Sequence, residues 1–250
     1  MKVVFDEAFY SVYTADPAAE AGRLEAIVQG LPPDVEFVGP QPASFDEIHR
    51  AHTKQHIRGI EEDGLYNIAA LAAGAAIRTA RIGLQEPAFG LIRPPGHHAS
   101  ADACWGFCFF NNMAVALLAL KAEGLIQKAF VLDFDLHYGD GTVNILGDAD
   151  WLRICNPAKN SRKAYLQSVE EELAATDADI IGISAGFDNH EADWGGLLAT
   201  EDYETMGRMV RQAANKNNGG CFALLEGGYN HAVLGKNAAA LLKGLSEQGR

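Results

Sequence analysis

The 250 residues carry 33 acidic against 20 basic side chains, a formal net charge of -13, with 48% hydrophobic and 21% charged residues. That balance excludes a disordered chain and argues against a nucleic-acid partner, because a phosphate backbone calls for clustered Lys and Arg. The length suits one domain with a sizeable core, spanning 1–250, and the acidic surface favours cationic substrates.

The first residues, M-K-V-V-F-D-E, bring acids before any apolar run long enough for a signal peptide. No run approaches the roughly 18 apolar residues that span a bilayer, so a cytoplasmic chain without a membrane partner is expected. Cys104, Cys108, Cys155 and Cys221 lie on or beside apolar runs. The C-x3-C spacing of Cys104 and Cys108 does not match a zinc knuckle, and buried free thiols fit a reduced compartment.

In chain order, 2–5 reads as a strand and 18–29 as a helix with Leu24, Ile27 and Val28 on one stripe, stopped by Leu31-Pro32-Pro33. A second strand at 35–38 alternates Val35 and Phe37 against Glu36 and Val38. Ser44-x-x-Glu47 is a capping box for a short helix, followed by helical pieces through Ile57 and over 68–82. His49, His52 and His56 could line one helical face, and the spacing reads as surface or internally satisfied histidines rather than a metal site. Strands follow at 88–92, 128–135, 151–155, 179–185 and 221–225. Helices are expected at 111–122, 139–146, 161–175, 200–215 (with Thr200 as its cap) and 232–245. Strands alternating with helices imply βαβ units: an α/β fold with one open, mainly parallel sheet and helices on both faces.

Four polar motifs sit at the ends of four of these strands: His97 and His98; Asp133, Asp135 and His137; Asp188; and Tyr229. In open parallel sheets, ligands bind outside the carboxyl ends of the strands, so the four should converge. On a strand, Asp133, Asp135 and His137 would share one face, with Phe134 and Leu136 buried on the other. A lone Gly-His-His is more often an incidental loop, and Asp188 alone could be a cap; together, at matching positions, those readings fail. Two buried carboxylates and an imidazole are costly unless a cation neutralises them. Asp135, His137 and Asp188 make three protein ligands, the usual number at a catalytic zinc, where the metal polarises a carbonyl and lowers the pKa of water. His97 and His98 suit proton transfer, Asp133 and Asp140 are the carboxylates available to orient them, and Tyr229 can donate to an oxyanion.

The segments R-P-P-G-H-H-A (93–99), G-F-C-F-F-N-N (106–112), L-D-F-D-L-H-Y-G-D-G-T (132–142), S-A-G-F-D (184–188) and E-G-G-Y (226–229) closely resemble the zinc-dependent histone deacetylase family, which includes bacterial deacetylase-like enzymes and acetylpolyamine amidohydrolases. The resemblance runs over nearly the whole chain and implies the arginase/deacetylase fold and hydrolysis of an acetylated amine such as acetyl-lysine. By position it implies Asp135, His137 and Asp188 as zinc ligands, His97 and His98 as the histidine pair with His98 as proton acceptor, Asp133 and Asp140 as their partners, and Tyr229 as oxyanion donor. It also implies Gly106 and Phe107 in the narrow tunnel that holds the acyl-lysine or acyl-amine chain and a structural K+ on main-chain oxygens around Asp133, Asp135 and His137. The donor set suits Zn2+ or Fe2+.

Three departures stand out. The segment 156–165 is short where the family carries a glycine-rich loop, W-L-R-I-C-N (151–156) lacks the family's Ser-Leu/Ile-His, and Trp194 stands where a smaller tunnel-wall residue is usual. A shallower pocket is expected, with a rim that a partner subunit in an oligomer could complete. Two alternatives remain: an arginase-like ureohydrolase, whose ligand order is D-x-H-x-D rather than D-x-D-x-H, and a catalytically silent acyl-lysine binding module.

Overall fold

The computed structural model describes residues 1–247. In chain order the elements are β1 (Lys2–Val4), α1 (Arg23–Gly30), β2 (Glu36–Val38), α2 (Phe45–His49), α3 (Lys54–Glu62), α4 (Tyr66–Gly83), β3 (Ala88–Gly90), α5 (Asn112–Ala122), β4 (Ala129–Asp133), α6 (Asp140–Leu146), β5 (Leu152–Cys155), α7 (Arg162–Ala175), β6 (Ile180–Ala185), α8 (Thr200–Lys216), β7 (Gly220–Leu225) and α9 (His231–Ser246). The strands form one seven-stranded sheet in the order β2-β1-β3-β7-β6-β4-β5, and every neighbouring pair is parallel.

Every residue of β3, β4, β6 and β7 is buried, as expected of parallel strands covered on both faces. One helix group joins α4 to α5 and lays α4 against β1, β3 and β7; another stacks α1 and α8 on α9 and α7 on α8. No described helix is long and apolar enough to cross a membrane. The sheet order makes β3, β7, β6 and β4 consecutive, so all four motif-bearing ends lie side by side. Their last rungs are aligned: Asp133 pairs with Ser184, Ser184 with Leu224, and Leu224 with Gly90.

Several boundaries differ from expectation for local reasons. The first helix starts only at Arg23, because Asp16 caps a 3-10 turn at Pro17–Ala19 and Gly22 takes φ +87°. Strand β2 is an edge, so Phe37 is 46% exposed instead of lining the core. The capping box forms, with Glu47 accepting from the Ser44 N–H at 2.7 Å. His49, His52 and His56 share no helical face, since α2 ends at His49 and α3 begins at Lys54. His52 and His56 are buried and satisfied: His52 Nδ1–H donates to Ser100 O while Nε2 accepts the Asn111 N–H, and His56 Nε2 meets Phe109 O. Thr200 is not a cap. It is the first residue of α8, its hydroxyl donates to Asn237 Oδ1 at 2.7 Å, and Asp202 accepts the Ala199 N–H in the capping role. The four cysteines are free, with Cys104 only part-buried.

Candidate active site

The strand opening the central motif stops at Asp133, so strand alternation does not place Asp135 and His137. The cause is the carboxylates themselves. The Asp135 N–H donates to Asp133 Oδ1 (3.2 Å), the Leu136 N–H to Asp188 Oδ1 (3.0 Å) and the His137 N–H to Asp135 Oδ1 (2.9 Å). Amides engaged by side chains cannot continue a ladder. Phe134 is buried as expected, but Leu136 is 36% exposed because the chain has left the sheet.

This loop brings Asp135, His137 and Asp188 together, with one ligand-type atom from each within 4.8 Å of the others. His137 Nδ1 lies 3.1 Å from Asp135 Oδ1 and 3.0 Å from Asp188 Oδ2. A cation fits this donor set. Asp188 Oδ2 is buried and lacks a well-directed hydrogen bond among the described residues, and two hard carboxylates beside an imidazole suit Zn2+ or Fe2+. The approach is kept open by glycines: a Cβ on Gly186 would stand 2.0 Å from Asp135 Oδ2, and one on Gly227 2.8 Å from Asp188 Oδ2. Interaction with Asp135 and then Asp188 pushes His137 up to about 10. Burial and the Asp135 charge raise Asp188. Burial would raise Asp135 too, but the His97 charge and hydrogen bonds hold it low.

The rings of His97 and His98 are in contact, with centroids 4.0 Å apart and planes tilted by 41°. Each is tied through Nδ1 to its own carboxylate, His97 to Asp133 Oδ2 at 3.1 Å and His98 to Asp140 Oδ1 at 2.6 Å. A carboxylate only accepts, so both Nδ1 atoms carry protons and Nε2 is the atom left to exchange one. Their electrostatics diverge. Burial would depress His97, but Asp135 and Asp133 outweigh it and raise its pKa well above the usual histidine value. Burial and the His97 charge push His98 down to about 4.

Tyr229 completes a cavity of about 110 Å³ lined by His97, His98, Phe107, His137 and Trp194. Burial raises its hydroxyl above the usual tyrosine value. Gly106 and Phe107 line the same cavity, and the Trp194 indole stacks on the Tyr229 ring at 4.0 Å and 24°. Across His137 lies a second cleft of about 450 Å³, bordered by residues 156–160, where the chain is short.

Four supporting residues were assigned no role from the sequence. Arg23 is fully buried, donates to Gly228 O (2.8 Å) and Glu226 O (2.6 Å), and lies 5.5 Å over the Tyr229 ring. Glu226 Oε2 accepts the N–H groups of Gly96 and His97, tying the β7 end to the histidine pair. Asp193 Oδ2 accepts from the Tyr229 and Asn230 N–H groups, each at 2.8 Å. Trp105 Nε1 donates to Asp140 Oδ2 at 2.8 Å. Only Glu226 and Asp193 could have been flagged, as acids beside motif residues; Arg23 meets its partners more than 200 residues away.

The family model described as the histone deacetylase domain matches residues 60–165 and 152–245. The chain is 30% identical to a probable deacetylase of Archaeoglobus fulgidus, over 87% of this chain and 74% of that one. It is 29% identical to the histone deacetylase-like amidohydrolase of Pseudomonas aeruginosa, over 90% and 74% respectively. The crystal structure of the HDA15 HD domain superposes with a TM-score of 0.85 at 25% identity, covering 97% of this chain and 88% of that chain.

Proposed function

The chain belongs to the histone deacetylase domain family, and from that premise we propose that residues 1–250 are one catalytic domain hydrolysing an acylated amine, acetyl-lysine in protein or an acetylated polyamine, to a carboxylic acid and a free amine. The observation that carries this reading is geometric: two adjacent histidines, each held through Nδ1 by its own carboxylate, stand beside a carboxylate–imidazole cluster, all lining or bordering one cavity. With both Nδ1 atoms engaged, each histidine has its Nε2 left to exchange a proton.

Asp135, His137 and Asp188 would hold Zn2+ or Fe2+, which when bound polarises the amide carbonyl and lowers the pKa of water. His98, kept neutral with its Nδ1–H on Asp140, accepts a proton from the attacking water at Nε2. The water oxygen forms the new bond to the carbonyl carbon. His97, held through Nδ1 by Asp133, gives its Nε2 proton to the amine nitrogen as the C–N bond breaks. Tyr229, whose proton burial retains, donates to the carbonyl oxygen as negative charge develops there. Gly106, Phe107 and Trp194 line the cavity that would receive the acyl-lysine or acyl-amine chain, and the net charge of -13 favours a cationic amine. A metal-loaded screen over acetyl-lysine peptides, acetylpolyamines and longer acyl chains tests the reading. Turnover of at least one class that chelation abolishes is expected; no turnover on any would overturn it.

A further inference from the structure

We propose that Trp105 is a positioning residue that fixes the Asp140 carboxylate on His98, a role that rests on the function proposed above. The need for it comes from exposure. Asp133, which holds His97, has a side chain 0% exposed, whereas the Asp140 side chain is 43% exposed. A carboxylate in water can rotate about its side-chain torsions and exchange partners with solvent, so burial alone does not keep Asp140 on His98.

Trp105 supplies what burial does not. Its Nε1–H donates to Asp140 Oδ2 at 2.8 Å while Asp140 Oδ1 accepts from His98 Nδ1 at 2.6 Å, so both carboxylate oxygens are engaged. The same indole lies over the His98 ring, with centroids 3.9 Å apart and planes at 32°. One side chain therefore restrains both members of the pair. Trp105 is itself 55% exposed, so core packing does not explain its placement.

The backbone after it is shaped to the same end. Gly106 (φ +59°) and Phe107 (φ +69°) are consecutive residues in the left-handed region, which a bulky residue such as phenylalanine rarely adopts. Gly106 must be glycine, since a Cβ there would lie 2.4 Å from His98 Cδ2. This turn seats the loop flat against the imidazole and delivers the indole to Asp140. Backbone strain of this kind persists where the surroundings over-determine it, commonly at functional sites.

The test compares Trp105→Phe, which keeps an aromatic ring and removes the N–H, with Trp105→Ala, which removes both, in the metal-loaded enzyme. Trp105→Phe is expected to lower kcat about tenfold with KM changed by less than about twofold, and Trp105→Ala to lower kcat further. In an Asp140→Asn background, Trp105→Phe should have little further effect, because the partner it positions is already gone. A second readout needs no turnover: in ¹⁵N-histidine NMR the hydrogen-bonded Nδ1–H resonance of His98 should broaden or vanish in Trp105→Phe. A kcat preserved in Trp105→Phe with that resonance intact would overturn the proposal, as would a KM increase at constant kcat, which would make Trp105 a substrate wall. If the unmodified protein turned over no acylated amine, the functional reading would fail while the His98 resonance still decided whether Trp105 positions the pair.

Discussion

The two histidine–aspartate pairs are built from the same atoms and held by different means. His97–Asp133 is sealed in the protein, where Asp133 also accepts the Asp135 N–H, so its geometry comes with folding. His98–Asp140 stands at the cavity mouth, where Asp140 leads the short helix α6 and reaches solvent. The carboxylates around the sealed pair raise its imidazole above the usual histidine value; burial and the charge of its neighbour push the outer imidazole down. One repeated unit is thus set in two different ways by the exposure of its carboxylate and by the charges around it.

The largest expected effect tests the proposed ligand cluster beside the two pairs. Asp135→Ala should abolish measurable turnover and metal content by elemental analysis; a variant that still bound one ion per chain would remove Asp135 from the set. Two ions per chain in the unmodified protein would favour the ureohydrolase alternative. Next, Asp133→Asn should retain metal and lower kcat by about 10³-fold. Asp140→Asn should cost about 10²-fold, less because solvent can partly replace an exposed partner. The reverse order would break the comparison between the pairs.

His52 sharpens it in a different currency. It is a buried imidazole with no carboxylate partner, and burial followed by the His56 charge depresses it to about 4. The unfolded chain takes up that proton near pH 6.5, so acid favours unfolding. Stability should fall as pH drops below about 6.5 and lose roughly 3 kcal/mol by pH 4. Urea midpoints at pH 7 and 4.5 should converge in His52→Gln; an unchanged difference would exclude His52 as the source. The smallest effect is expected from Trp194→Ala, about a fivefold rise in KM at nearly constant kcat, measured with the preferred acylated amine.

The α/β alternation was legible because buried parallel strands read as continuous apolar runs, as in D-I-I-G-I-S-A. The convergence of the four motifs was legible because strand ends share one edge. What escaped was set by distant partners. The end of β4 depends partly on Asp188 accepting from Leu136, 52 positions away, and no local pattern announces that. Trp105 reads as an incidental aromatic until the fold brings Asp140, 35 positions on, to its ring nitrogen. Leu136 seemed core-facing by alternation and is exposed because the alternation had already ended.

The aligned rungs from Asp133 through Ser184 and Leu224 to Gly90 have a consequence for how the four ends come together. Neighbouring strands can slip only in whole residues, about 3.3 Å a step, and an odd slip turns every side chain to the opposite face. No partial misalignment leaves the four strand-end motifs nearly in place. Convergence of the four ends should therefore be all or nothing, reached only where the four strands share this register.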